Sequence, residues 1–373
     1  MHVAVFGAGY AGLTVARRLE RALPSDVELT LVNDEPYHLV QHELHRAVRR
    51  PSVADTIRIP LTTVLDRTRV VVDRVESVEP AANTAELADD GKLSYDYAAV
   101  CLGAETNFYG LAGVEEHALP LKRLADAEGI RQRFTEHEDG RFVIGGAGLS
   151  GVQVAGELAA LAEERDSDAE VQLVEMADSV APGFDERFQR ALHEALTDAG
   201  IDVRTGTVIA EADADQVTLE SGESLPYDGF VWTGGIRGPD ALGGERPETR
   251  AHLRVDDDTF VVGDAARVVD ADGEPVPASA QAALREAKVA AANIAALVDY
   301  DRQGGDGFEP RLDRYSFTSP GWVVTVGDDA VAQVGPTVLR GQAARAAKAS
   351  VGAAHLSSVG AITEASQLAR DEL

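Results

Sequence analysis

Met1-His2-Val3-Ala4-Val5-Phe6-Gly7-Ala8-Gly9-Tyr10-Ala11-Gly12-Leu13-Thr14-Val15-Ala16-Arg17-Arg18-Leu19-Glu20 opens the chain, and its reading decides the fold. Val3 to Phe6 is a short apolar run, the three glycines make a turn, and Leu13 to Leu19 carries apolar residues at helical spacing. Strand, Gly-x-Gly-x-x-Gly turn and helix, in that order, predict a dinucleotide-binding βα unit. Gly7 permits the tight turn, Gly9 lets backbone approach a pyrophosphate, and Gly12 lets helix pack closely on strand. The anion sits at the helix N-terminus, where unpaired N–H groups and the dipole favour negative charge.

The pattern returns further along. Arg141-Phe142-Val143-Ile144 is apolar, Gly146-Ala147-Gly148-Leu149-Ser150-Gly151 repeats the turn, and Val152 to Glu163 reads as its helix. Val171 to Glu175 then forms a second strand ending in an acid, placed for the ribose hydroxyls of an NAD-type nucleotide and against the extra phosphate of NADPH. In the first copy, Val27, Leu29 and Leu31 alternate toward Asn33-Asp34-Glu35, so an amide stands where the acid is expected. With no arginine beside it, that nucleotide reads as FAD-type rather than NADP. Two fingerprints predict an α/β fold of two Rossmann-like domains, the first discontinuous, with a small C-terminal β/helical region. The expected boundaries are 1–113 and 241–310 for the FAD domain, 114–240 for the NAD(H) domain, and 311–373 for the C-terminal region.

Between the fingerprints, Val70 to Val78 reads as one strand, Asp89-Asp90-Gly91 as a hairpin, and Tyr95 to Cys101 as a buried strand ending at Gly103. His38, His42 and His45 fall within eight positions; His38 and His42 could share a helix face, but no zinc signature surrounds them, and hydrogen bonding beneath a cofactor is the better reading. After the second fingerprint come a helix over 188–196, a strand over 203–208 and a hairpin at Glu220-Ser221-Gly222. Tyr227 to Gly235 mirrors Tyr95 to Gly103. Gly263-Asp264 and the helix start Ala280-Gln281-Ala282-Ala283 offer small residues where a flat ring could approach. A β pair at 322–334 precedes an Ala-rich helical tail, in which Val351, Leu356, Val359 and Ile362 form a thin apolar stripe.

Composition sets limits. The chain has 373 residues and a formal net charge of −29, a surface that repels nucleic acid. Such repulsion is tolerable in molar salt, where the Debye length falls to about 3 Å, and destabilising in dilute buffer. The one cysteine, Cys101, excludes an intramolecular disulfide and a dithiol redox centre. No stretch is long and apolar enough for a membrane span, and no signal segment precedes the first strand, so the expected location is cytoplasmic.

These motifs resemble the two-dinucleotide-binding-domain flavoproteins, and within them the type II NADH dehydrogenases. The resemblance covers nearly the whole chain and rests on Gly7 to Gly12, Tyr95 to Phe108, Gly145 to Leu158, Val231 to Ile236, Gly263 to Ala266 and Ala280 to Ala283. The acidic, lysine-poor composition is similar to that of proteins from salt-loving archaea. The resemblance implies an FAD cofactor, NADH as electron donor and a quinone as acceptor. It implies FAD contacts at Gly7, Ala8, Gly9, Tyr10, Ala11, Gly12, Asn33, Asp34, Val75, Gly103, Asp264, Ala280 and Gln281. It implies NADH contacts at Gly146, Gly148, Gly151, Glu175, Gly234 and Gly235, with Gln281 and Glu157 at the reacting centre. One departure is Gln153, which stands where the family usually carries a glutamate. A weak peripheral membrane contact through the tail, on the inner face of the cell membrane, and a homodimer complete the expectations. The alternatives are a soluble reductase of a ferredoxin-like carrier, a sulfide:quinone reductase-like enzyme, and an NADH-binding redox sensor.

Overall fold

The computed structural model describes residues 1–305, 307–358 and 360–372. The chain divides into two compact units: Met1–Val40, Arg58–Glu105 and Arg237–Ser319 form one, and Gln41–Ile57, Thr106–Ile236 and Pro320–Leu373 the other. These divisions cut the chain at points other than the expected domain boundaries, placing 41–57 and 320–373 with the second fingerprint.

The first unit is built on a five-stranded parallel sheet, in spatial order Thr259–Val261, Tyr97–Val100, His2–Phe6, Glu28–Asn33 and Arg69–Val72. Val3, Ala4, Val5 and Phe6 are wholly buried, as central parallel strands covered on both faces require. Helix Tyr10–Ala22 buries Leu13, Val15, Ala16 and Leu19 and packs on helix Ala280–Arg302. The latter presents a buried alanine face (Ala283, Ala287, Ala290, Ala291) that lets the two backbones come close. Each large buried side chain, such as Leu19 or Ile294, contributes about 1.5–3 kcal/mol.

The run Val70 to Val78 is two strands rather than one. Arg69–Val72 joins the parallel sheet, and Val75–Glu79 begins a three-stranded antiparallel meander with Thr84–Leu87 and Gly91–Ser94. Asp73 makes the break: its buried carboxylate accepts N–H groups from Arg74 at 2.7 Å, Asp89 at 3.2 Å and Asp90 at 2.9 Å. That pins the turn to the hairpin tip.

The second unit carries a four-stranded parallel sheet, in order Asp202–Arg204, Glu170–Val174, Arg141–Gly145 and Gly229–Trp232. The strand expected over 203–208 ends at Arg204. Gly206, at φ +61°, turns the chain and donates its N–H to Ala177 C=O, and Ile209–Ala212 starts a separate antiparallel sheet. The C-terminal β pair gains a third strand: Trp322–Val326, Asp329–Val334 and Thr337–Arg340 form an antiparallel sheet. A Cβ on Gly156 would lie 2.4 Å from Gly327 N, so helix Leu149–Arg165 packs directly on the first turn of this sheet.

The tail is two helices, Gly341–Ser358 and Ile362–Glu372. The expected stripe does not form one face: Leu356 is buried, while Val351 and Ile362 are exposed, and Val359 lies outside the described residues. No helix among the described residues is long and apolar enough to cross a membrane.

Candidate functional site

Each unit carries its own glycine turn, and the two are built alike. Gly7 and Gly146 both adopt φ +96°. A Cβ on Gly7 would lie 2.4 Å from Cys101 O, and one on Gly146 would lie 2.7 Å from Gly234 Cα. A Cβ on Gly12 would stand 1.8 Å from Gly7 O, and one on Gly151 1.9 Å from Gly146 O. At Gly9 and Gly148, by contrast, a Cβ would meet nothing within 4 Å. First glycine for the turn, second for open approach, third for close packing: that is the division of labour a dinucleotide turn needs. Gly9 and Gly148 are also the N-caps of helices Tyr10–Ala22 and Leu149–Arg165, with no side-chain cap and no acid in either first turn. Those helix ends offer their N–H groups to an anion.

The residues at the ends of the second strands hold these turns. Asn33 Oδ1 accepts the Ala8 N–H at 2.7 Å, and its Nδ2 donates to Glu35 C=O at 2.8 Å. Glu175 does the same in the second unit, its carboxylate accepting from Ala147 N–H at 2.7 Å and Ala177 N–H at 2.9 Å. An amide oxygen thus does the loop-holding work of the missing acid, so Asn33 fits its position. Glu175 keeps acceptor capacity beyond these two bonds.

His38 braces the first turn, its Nδ1 lying 2.8 Å from Ala8 O and its ring edge-on to Tyr10. It lies on strand Tyr37–Leu39, whereas His42 lies in the 3-10 turn Gln41–Glu43, so the two do not share a helix face, the alternative set aside in favour of hydrogen bonding. Among the described residues, no group of three or more His, Cys, Asp or Glu is arranged to hold a metal ion. In the same unit, Asp34 is exposed just past its strand, buried Val75 opens the meander, and Gly103 turns the chain at φ +71°.

Asp264 sits in the 3-10 turn Gly263–Ala265. Gly263 has φ +73°, and a Cβ there would lie 3.3 Å from the Cβ atoms of both Ala11 and Ala283. The turn is therefore wedged between the fingerprint helix and helix Ala280–Arg302, which brings it to the first glycine turn. Ser279 caps the latter helix, accepting Ala282 N–H at 3.3 Å. Gln281 donates from Nε2 to Ser319 Oγ at 3.1 Å, so its amide is oriented and partly buried beside Ala280.

In the second unit, Gly234 abuts Gly146, as above, and Trp232 packs on it: a Cβ on Gly234 would lie 2.5 Å from the indole. Gly235 packs under Tyr109, with 2.1 Å from a built Cβ to the phenol oxygen. Gln153 and Glu157 stand one turn apart on helix Leu149–Arg165 and meet His45 and Arg49, also four residues apart. Gln153 Nε2 lies 3.2 Å from His45 Nε2, which also contacts Thr325 Oγ1 at 2.9 Å. Burial, with Lys348 nearby, pushes the His45 imidazole well below its ordinary range, so it accepts as a neutral ring. Glu157 Oε2 lies 2.8 Å from Arg49 Nε, and Arg49 reaches Asp328 at 2.7 Å. Burial pushes the Glu157 carboxyl up to about 7 against the pull of the Arg49 guanidinium. The carboxylate is engaged in this pair and 2% exposed.

Residues that motif reading did not reach lie around these. Glu43 is buried with Lys348 Nζ at 2.8 Å, His42 Nε2 at 3.1 Å and Arg46 Nη1 at 3.3 Å. Against the upward push of burial, Lys348 and His42 hold its carboxyl well below the usual range. Glu286 and Arg246 flank the Gly263 turn. Glu286 had a signal: it interrupts the alanine face at 282, 283, 287 and 290 at helical spacing. The partner of Glu43 had none, being far along the chain.

The sequence profile of the family described as pyridine nucleotide-disulphide oxidoreductase matches residues 1–287. A type II NADH:quinone oxidoreductase of Staphylococcus epidermidis is 28% identical over 338 residues, covering 80% of this chain and 82% of that protein. Among solved structures, NDH2 of Plasmodium falciparum in complex with NADH superposes with TM-score 0.84 at 13% identity, covering 98% of this chain and 97% of the other. The sulfide:quinone oxidoreductase of Aquifex aeolicus gives TM-score 0.79 at 20% identity, covering 97% and 92%. These structures share the fold of two dinucleotide-binding units.

Proposed function

Because the chain belongs to the pyridine nucleotide-disulphide oxidoreductase family, we propose that it oxidises NADH by way of FAD and passes the electrons to a quinone, as its type II NADH:quinone oxidoreductase relatives are named. The observation that carries this is the duplicated glycine turn, open only over Gly9 and Gly148. FAD, when bound, supplies the two-electron chemistry that takes hydride from NADH and releases electrons to the acceptor.

The chain's own residues bind and orient. Gly7 to Gly12, with the N–H groups of the first helix, hold one pyrophosphate, and Asn33 and His38 fix that turn. Asp34, Val75, Gly103, Asp264, Ala280 and Gln281 serve the same cofactor, Gln281 at the flavin and quinone. Gly146, Gly148 and Gly151 hold the pyrophosphate of NADH, and Gly234 and Gly235 leave room beside it. Glu175 binds the ribose and repels a 2′-phosphate. Glu157 holds Arg49, and through it residues 41–57. Electrons leave for an external acceptor, since Cys101 is buried behind Gly7 and Gly12 and has no cysteine partner. The same fact disfavours a sulfide:quinone reductase that needs active-site cysteines.

The test is anaerobic. NADH added to the oxidised flavoprotein in molar KCl bleaches the flavin, NADPH does so far more weakly, and a soluble quinone restores the colour. A flavin left oxidised by NADH refutes the reading. For a peripheral membrane contact, exposed Val351 and Ile362 are the supporting observation. Co-sedimentation with anionic vesicles, abolished by V351S/I362S, checks it, and a sizing column checks the homodimer.

A further inference from the structure

The turn Gly263–Ala266 is held by two side chains from separate stretches of chain, neither part of a glycine motif. Glu286 Oε2 accepts the Gly263 N–H at 2.7 Å from the face of helix Ala280–Arg302. Arg246 donates from Nε to Asp264 C=O and from Nη2 to Ala266 C=O, each at 2.7 Å. Three main-chain groups of one four-residue turn are thereby fixed by two side chains. Glu286 is 2% exposed and surrounded on its own helix by Ala282, Ala283, Ala287 and Ala290, a setting in which an acid is costly to keep. Burial raises its carboxyl to about 7, with Asp264 adding to the rise and Arg246 opposing it. Without it, the Gly263 N–H would face an alanine surface with no acceptor. Packing alone would favour alanine at this position; fixing that N–H is what the acid adds.

We propose that Glu286 and Arg246 form a two-residue clamp that presets the Gly263–Asp264 turn for the flavin, with Glu286 the positioning residue on which FAD retention depends. The clamp rests on the reading that the first unit holds FAD. A turn fixed beforehand loses less freedom when the ligand arrives, which appears as affinity. Neither side chain touches the reacting atoms; each acts through the backbone that carries Asp264.

The experiment compares wild type, E286Q, E286L and R246M, stripped of flavin and kept in molar KCl. The E286Q side chain keeps an oxygen for the Gly263 N–H, E286L keeps the volume without the acceptor, and R246M leaves the two carbonyls unheld. FAD affinity is read by quenching of flavin fluorescence, the bound environment by the visible absorption band, and the fold by the melting temperature of each apoprotein. E286Q binds FAD within about threefold of wild type, and E286L and R246M bind it at least about tenfold more weakly, the size expected for loss of one buried hydrogen bond. The absorption band shifts in those two variants, while NADH affinity at the second turn is unchanged. If E286L fails to fold, R246M alone carries the test. FAD affinities within about twofold of wild type in every folded variant overturn the clamp, as does an E286Q that loses FAD as fully as E286L. Wild-type apoprotein that takes up no FAD overturns the underlying reading and the clamp with it.

Discussion

Gly148→Ala separates folding from nucleotide binding at a single atom. Gly148 has φ −64° and ψ 179°, a conformation alanine adopts freely, and its added Cβ would meet nothing within 4 Å. Removing a glycine from the unfolded chain stabilises by about 0.4–1 kcal/mol. Alanine is a poorer N-cap than glycine by a similar amount, about 0.5 kcal/mol or more. The two effects nearly cancel, and a residual of about 1 kcal/mol moves the melting temperature by about 2–4 °C at most in a protein of this size. The same methyl fills the space through which a pyrophosphate would approach the helix end. Overpacking of that kind costs about 1–3 kcal/mol, or roughly 5- to 150-fold in the dissociation constant. Titration calorimetry with NADH on the purified flavoprotein, beside a melting curve in the same buffer, reads both quantities. The expected result is a near-wild-type melting temperature, intact flavin and NADH affinity weakened at least about fivefold. Gly151→Ala, whose Cβ would stand 1.9 Å from Gly146 O, loses stability as well. NADH affinity within about twofold of wild type in a folded Gly148→Ala protein would refute the assignment of this turn to the nucleotide.

Lys348→Met leaves the Glu43 carboxyl buried without its ammonium and destabilises by about 3–5 kcal/mol, whereas Lys348→Met with Glu43→Gln recovers most of the loss; additive single effects in a denaturation double-mutant cycle would count against the pair. The Glu286 carboxyl is raised in the folded state, so its ionisation opposes folding as pH climbs from its unfolded value to about 7. E286Q therefore gains stability over wild type across that window, toward about 3 kcal/mol, and matches it at about pH 4; a difference that is flat with pH in urea titrations refutes the burial reading. With a net charge of −29, the melting temperature falls between molar and millimolar KCl; an unchanged value would show that repulsion is not being screened.

What could be read from residue order was whatever depends on neighbours within about one βα unit. Gly7 to Gly12 and Gly146 to Gly151 announced their turns, because steric demands on each glycine are local. The break at Asp73 was hidden, since a valine run interrupted by one aspartate looks like alternation. Only the N–H groups of Asp89 and Asp90, folded back from a hairpin, turn that side chain into a corner. Likewise, the sequence between Pro36 and His45 suggested a cofactor-lining segment. What that segment meets lies far along the chain: Lys348 pairs with its Glu43, and Asp328 and Glu157 pair with Arg49 just beyond it. Asn33 looked like a defect in the first fingerprint until its amide was seen on Ala8 N–H. Local chemistry writes the turns; distant ion pairs tie residues 41–57 into the second unit.

The discontinuity of the first unit has a consequence for synthesis. All four strands of the second unit's parallel sheet come from residues 141–232, so this sheet can close while the ribosome is still adding later residues. The sheet that begins at His2 must wait for Thr259–Val261 and for helix Ala280–Arg302 before its edge and its helical layer are complete. The edge of strand Tyr97–Val100 and the outer side of helix Tyr10–Ala22 thus stay uncovered until those later residues are made. Chaperone capture or slowed translation before residue 302 would act on the sheet of the first unit and leave the 141–232 sheet closed.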